Sequence, residues 1–159
     1  MKYYIAYGSN LSVRQMAVRC PEARVAGKAV LKDWKLVIKL HATIEPCEGS
    51  EVPVLIWEIS DRDEKYLDVY EGFPSYYFKR DLEVTMTDLR GKHPRKVTAM
   101  VYIMAEGHAI RMPMKGYVDV LVEGYERFGF DKEILRNALL DAKDAERYEC
   151  EDGKQLPKV

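Results

Sequence analysis

Strand-forming segments follow one another along this chain with few helices between them, and that succession constrains the fold more than any other feature. Arg24 to Leu40 carries Val25, Val30, Leu31, Trp34, Leu36, Val37, Ile38 and Leu40, and reads as two strand segments with a turn near Lys32-Asp33. His41 to Glu51, with Pro46, Gly49 and Ser50, reads as a loop. Val52 to Ile59 is mostly β-branched and aromatic, the composition of a buried strand, with Pro53 near its start where a strand best tolerates proline. Tyr76 to Met86 and Val97 to Met104 are two more strands, joined by a polar turn containing Gly91 and Pro94. Antiparallel neighbours need only short turns, whereas parallel ones need long crossovers. Hairpins therefore dominate over βαβ alternation, which predicts an α+β class with a mixed, mostly antiparallel sheet.

The helices fall at the edges of this pattern. Lys2 to Tyr7 reads as a first strand ended by Gly8-Ser9-Asn10, and a short helix over about Ser12 to Cys20 places Val13, Met16, Ala17 and Cys20 on one face. Ser12 is its expected N-cap and Pro21 its stop. Ser60 caps a second helix with Asp61, Asp63 and Glu64 in its first turn, and Gly72 stops it. Tyr117 to Phe128 and Asp131 to Tyr148 are two C-terminal helices separated by Gly129. The chain thus reads as one domain over residues 1–148, followed by a polar tail over 149–159, with no repeat or linker.

Composition removes several classes of function. The 159 residues are 47% hydrophobic and 32% charged, a globular balance. A net charge of −1 lacks the basic excess that phosphate backbones demand, so nucleic acid is not an expected partner. No apolar run approaches the ~20 residues that cross a bilayer, and the start of the chain lacks a secretory h-region. Cys20, Cys47 and Cys150 are odd in number and form no CxxC pair, which fits reduced thiols in the cytoplasm. His41, His93 and His108 make no metal or triad pattern. No metal or cofactor is expected, and the oligomeric state is left open, with a homodimer compatible.

Two places can carry chemistry. In Tyr7-Gly8-Ser9-Asn10-Leu11, a glycine between strand and helix lets backbone approach a ligand, and successive N–H groups can cradle a carboxylate or oxyanion. It is neither a P-loop nor a nucleophile elbow. A polar turn that merely connects two elements remains an alternative. Glu71 precedes the helix-ending Gly72, at the negative end of the helix dipole, with Tyr70, Phe73, Tyr76 and Tyr77 able to wall it from water. Both effects favour the neutral acid and raise its pKa, as a carboxyl acid/base at neutral pH requires. An exposed glutamate that happens to precede a glycine is the competing reading. Asp61, Asp63 and Glu64 are explained by capping rather than metal ligation, Lys79-Arg80 by solvated charge, and Ser9 has no histidine base placed to activate it.

Taken together, these motifs resemble the gamma-glutamylcyclotransferase-like superfamily. The carriers are Tyr7-Gly8-Ser9-Asn10-Leu11 after the first strand, Leu67-Asp68-Val69-Tyr70-Glu71-Gly72, and the strand Met100-Val101-Tyr102-Ile103-Met104. Pro113-Met114-Lys115-Gly116-Tyr117 and the segment Gly124 to Asp131 add a fourth, with Met114 where the family usually has serine. They occur in the family's order over roughly residues 1 to 140. The resemblance implies a barrel-like sheet flanked by helices with a cavity at its mouth. It also implies a γ-glutamyl substrate held by Tyr7, Gly8, Ser9 and Asn10, Glu71 as acid/base, and Tyr102 and Tyr117 pointing hydroxyls into the pocket. The implied reaction is an intramolecular cyclisation of a γ-glutamyl amide to 5-oxoproline with release of an amine or amino acid. A non-catalytic member of the fold, binding a small carboxylate or a protein, is the alternative.

Overall fold

The computed structural model describes residues 1–155. Its strands are β1 (Lys2–Ala6), β2 (Arg24–Lys39), β3 (His41–Ile59), β4 (Tyr77–Met86) and β5 (Arg95–Met104). Its helices are α1 (Val13–Arg19), α2 (Asp61–Glu71), α3 (Lys115–Phe128) and α4 (Lys132–Gln155). The strands form one sheet in the order β2-β3-β1-β5-β4. Only the β1–β5 pair is parallel, so the sheet is mixed and the α+β class holds. Its two edges meet where Lys28 N donates to Thr87 O at 3.0 Å and Thr87 N donates back at 2.9 Å. That contact curls the sheet towards a barrel.

The region between Arg24 and Ile59 differs from its sequence-based reading. Arg24 to Lys39 is one strand rather than two, and His41 to Glu51 is the first half of β3 rather than a loop. The turn sits at Leu40, a non-glycine residue at φ 68°. Distant backbone holds it there, with Leu40 N donating to Arg111 O and Arg111 N to Ile38 O, both at 3.1 Å. The expected turn at Lys32-Asp33 is a bulge in the ladder, with Asp33 at φ 64°. Its carboxylate accepts from Gly49 N across the hairpin at 3.0 Å. Between the Lys32–Glu51 and Trp34–Pro46 pairs β2 has only Asp33 against Cys47 to Ser50 of β3, and such an excess in one strand increases local twist without ending the pairing.

Helix α2 follows its sequence signals closely. Ser60 Oγ accepts from Asp63 N at 3.1 Å while the Asp63 carboxylate accepts from Ser60 N at 3.2 Å, a complete capping box. Gly72 closes the helix in the left-handed region at φ 65°. Helix α4 continues past Tyr148 to Gln155, so the start of the expected tail is helical backbone, and residues 156–159 lie outside the described residues.

Central β1 places Ile5 in the core with Ile56 of β3 and Val101 of β5, each 1% exposed or less. Helix α3 lies over the 3-10 turn that follows β1. A Cβ on Gly124 would stand 2.6 Å from Leu11 Cβ, so only glycine lets α3 sit this close. That approach brings the start of α3, and with it Tyr117, over the end of β1. Among the described residues no helix is long and apolar enough to cross a membrane.

Candidate active site

A cavity of about 160 Å³ opens where the end of β1, the end of α2, the starts of β4 and α3 and the tip of the β2–β3 hairpin converge. Tyr7, Gly8, Ser9, Asn10, Glu71, Tyr102 and Tyr117 all line it, so the structure gathers every residue the sequence singled out. At a share of ~30 Å³ per water in the liquid, it has room for a small polar group.

The loop after β1 forms a 3-10 turn over Ser9–Leu11, whose first bond runs from Leu11 N to Gly8 O at 3.0 Å. The N–H groups of Ser9 and Asn10 precede that bond and have no acceptor within the turn. At Gly8, an added Cβ would meet Tyr117 Oη at 3.1 Å and Ala42 Cβ at 3.2 Å. Tyr117 Oη in turn accepts from Ala42 N at 2.9 Å, so loop, hairpin tip and α3 are locked together around Gly8.

Glu71 enters from the opposite wall. It is half-buried, and burial pushes its carboxyl from an ordinary 4.5 up to about 7, with the positive charge of Arg19 acting against the rise. Asn10 is the hub between the walls. Its Nδ2 donates to Tyr4 Oη at 2.8 Å and to Glu71 Oε1 at 3.3 Å, and its carbonyl accepts from Trp57 Nε1 at 2.9 Å. Two further bonds pin the last turn of α2 to the cavity. Tyr102 Oη donates to Asp68 Oδ1 at 2.6 Å, and Ser9 Oγ and Tyr70 Oη lie 3.2 Å apart. Tyr102 thus faces the cavity with its ring while its hydroxyl is engaged by Asp68. Tyr7 Oη is engaged as well, donating to Tyr102 O at 2.5 Å. Burial, then the nearby Glu71 charge, raises the Tyr4 and Tyr7 phenols well above the usual tyrosine value, which keeps them neutral donors.

Sequence reasoning missed His41, Tyr4 and Arg19. His41 lies in the stretch read as a loop, yet its Nδ1 is 2.8 Å from Tyr76 Oη at the cavity wall, and burial lowers its pKa. Of the tyrosine-rich walls expected for Glu71, Tyr70, Tyr76 and Tyr77 line the cavity, whereas Phe73 is 38% exposed and stacks under Lys79. A larger cavity of about 650 Å³ lies between β2, β4 and the start of α4, but none of the singled-out residues reaches it. Among the described residues no group of three or more His, Cys, Asp or Glu side chains is arranged to hold a metal ion.

Comparison with known proteins adds to this geometry. Residues 4–125 match the family described as "Gamma-glutamyl cyclotransferase, AIG2-like". The chain belongs to that family. It is 30% identical over 145 residues to a gamma-glutamylcyclotransferase from Bos taurus, covering 84% of this chain and 74% of the relative. The Mus musculus gamma-glutamylcyclotransferase is 28% identical over 142 residues, at 82% and 73% coverage. A solved structure titled "Gamma-glutamyl cyclotransferase" superposes with a TM-score of 0.73 at 25% identity, covering 86% of this chain and 85% of the other. The matched segment contains the end of β1, the turn after it, Glu71, Tyr102 and Tyr117.

Proposed function

We propose that this chain is a gamma-glutamyl cyclotransferase, using Glu71 to move protons in the cyclisation of a γ-glutamyl amide. The observation that carries the reading is Glu71 itself. It is a half-buried carboxyl without an ion-pair partner among the described residues, poised near neutrality at about 7, in a cavity walled by tyrosines. A carboxyl tuned this way both accepts and releases protons at neutral pH.

The substrate carries its own nucleophile, so the protein has to orient it and manage protons. The Glu71 carboxylate takes a proton from the α-ammonium, and the resulting amine attacks the γ-carbonyl carbon, closing a five-membered ring. The N–H groups of Ser9 and Asn10 are donors for the substrate carboxylate or for the oxyanion that develops on the γ-oxygen. As the bond from the carbonyl carbon to the leaving nitrogen breaks, Glu71 returns its proton to that nitrogen. A second proton follows from the ring nitrogen by the same carboxyl. The products are the neutral lactam of 5-oxoproline and an ammonium. No side-chain nucleophile takes part. Cys20 is ill suited to be one, because burial pushes its thiol up to about 12.

The test is a panel of γ-glutamyl amino acids and γ-glutamylamines incubated with the protein, with 5-oxoproline followed by mass spectrometry. Formation from at least one of them, abolished in Glu71→Gln and unaffected by EDTA, is the expected result. Binding by calorimetry without 5-oxoproline from any of them would favour the non-catalytic alternative.

A further inference from the structure

We infer that Arg19 is the positioning residue of this site: by gripping Oδ1 of Asn10 it turns that amide so that Nδ2 faces Glu71 Oε1, which leaves Oε2 as the oxygen that carries the proton. The inference rests on the reading of Glu71 as the acid/base and names the device that orients it.

The guanidinium is itself held on three sides. Its NH1 donates to Asn10 Oδ1 at 2.6 Å and its NH2 to Gln15 Oε1 at 2.7 Å, while its Cζ stacks 3.7 Å from the centre of the Tyr70 ring. Arginine has five donors and no acceptor, and it stays charged at any working pH. The Asn10 main chain is fixed by Trp57, so the remaining freedom of that residue is the orientation of its carboxamide. Flipped, the amide would set Nδ2 against the guanidinium, donor against donor, and Oδ1 against the Glu71 carboxylate, oxygen against oxygen. Arg19 removes that second orientation. Asn10 Nδ2 then always meets Oε1, and a proton on Oε1 would have to face an N–H donor. The proton therefore resides on Oε2, to which no protein donor is directed among the described residues.

The groups that face Glu71 make the test one-signed. They are Arg19 from α1, Tyr4 from β1, Tyr7, Tyr76 and Tyr77 at the starts of the turn and of β4, Tyr102 from β5, Tyr117 from α3, and His41 from the hairpin tip, with Tyr70 of α2 engaged by Ser9 beside them. Burial favours the neutral form of Tyr4, Tyr7, Tyr76, Tyr77, Tyr102, Tyr117 and His41. Arg19 is then the permanent charge that acts on the carboxyl, and its loss moves the titration one way.

The experiment is an NMR titration of the ligand-free protein with ¹³C-labelled glutamate carboxyls and ¹⁵N-labelled asparagine amides, the Glu71 signal assigned by its loss in Glu71→Gln. In wild type, the Asn10 side-chain amide is expected to shift with the Glu71 midpoint. In Arg19→Met the midpoint should rise by ~1 unit, the scale on which a neighbouring guanidinium acts on a carboxyl, and the Asn10 amide should lose its response. The acid limb of the kcat/KM profile should move up with it. Arg19→Lys, which keeps the charge without the fork, should restore most of the midpoint but not the amide response. Gln15→Ala, which loosens Arg19 from an outer position, should shift both in the same direction by less, and it decides the matter if Arg19→Met does not fold. An unmoved midpoint and an intact amide response in Arg19→Met, with or without a lower Tm, would overturn the inference and leave Arg19 a structural residue. Absence of 5-oxoproline from wild type would instead defeat the proposed activity, and the titration would still decide the role of Arg19.

Discussion

Near the start of α2, Glu64 lies between two ammonium groups, 2.8 Å from Lys2 Nζ and 2.8 Å from Lys79 Nζ. At the end of the same helix, Glu71 meets tyrosine rings and one amide, and the positive charge that acts on it, Arg19, is bonded to Asn10 instead. Burial alone would raise both carboxyls. At Glu64 the hydrogen bonds from Lys2 and Lys79 outweigh it and hold the pKa below its ordinary value. At Glu71 no such bond exists, and the pKa rises to about 7. One side-chain type, two turns apart, is thus fixed as an anion at one end and poised to titrate at the other. Partners decide the difference, since both sites are partly buried.

The sharpest way to break this comparison is Glu71→Gln, which keeps the shape and an acceptor for Asn10 but cannot carry a proton. Turnover of the best γ-glutamyl substrate should fall by ~10²–10⁴-fold, the usual contribution of a general acid/base, with Tm not lowered. Wild-type kcat/KM should rise with pH through about 7 as the carboxylate forms, and that limb should vanish in the variant. Activity within a few-fold of wild type would remove Glu71 from the chemistry.

The same variant sharpens the comparison through stability. Below pH 4.5 Glu71 is protonated in the folded and unfolded chain alike and has no effect; between 4.5 and about 7 the unfolded chain ionises first. The folded state binds the extra proton, so stability falls as pH rises through this window. At 1.36 kcal/mol per pKa unit the full cost above neutrality is ~3 kcal/mol. Glu71→Gln should therefore be more stable than wild type at pH 8 by up to that amount, and the gap should close towards pH 4. Chemical denaturation at both pH values checks it, and a gap independent of pH would show that Glu71 is not destabilised by burial.

Substitution across the cavity asks whether the Glu71 end of the helix faces a binding surface or only a wall. Gly8→Val would drive side-chain atoms into Tyr117 Oη and Ala42 Cβ, 3.1 and 3.2 Å from even a bare Cβ. Overpacking on this scale costs ~1–3 kcal/mol, and here it falls on a loop that lines the cavity. Substrate affinity by calorimetry should drop roughly 5–150-fold on that basis. Ser9→Ala keeps every backbone N–H and loses one contact to Tyr70, so it should lose less. Equal tolerance at both positions would make the loop a connector.

How much of this was legible in the sequence follows from how local each signal is. The capping box at Ser60 and Asp63, the stop at Gly72 and the strand–glycine–helix opening are written in adjacent residues, and the structure repeats them. The turn at Leu40 is not, because two backbone bonds to Arg111, far along the chain, hold a leucine in a conformation it rarely adopts. Pro46, Gly49 and Ser50 then look like loop residues, although Pro46 pairs with Trp34 of β2 and the other two lie in the bulge within β3. His41 was lost to the site by the same misreading. Glu71 was visible through its place before Gly72, but its partner Asn10 and the grip of Arg19 depend on α1 folding back, which no spacing encodes.

The smallest expected effect is at the other end of the helix. Glu64 has a lowered pKa, so it contributes stability while ionised, above its ordinary value of 4.5, and that contribution is lost as pH falls through the folded-state pKa. Its side chain is 15% exposed, Lys79 is 23% exposed and Lys2 44%, so solvent screens part of the attraction. Glu64→Gln keeps the shape and removes the charge, and the Lys79 ammonium keeps Asp68 as a partner at 2.7 Å. No buried charge is left alone. The cost at neutral pH should therefore lie near the top of the range for exposed pairs, about 1 kcal/mol, and shrink in high salt. Its pH dependence must run opposite to that of Glu71→Gln: the wild-type advantage over Glu64→Gln should be largest near neutrality and disappear on acidification. Denaturation curves of the two variants, measured side by side from pH 3 to 8, should lie on opposite sides of the wild-type line near neutrality and converge on it as pH falls. Parallel curves would mean that the lysines do not separate the two ends of α2 electrostatically.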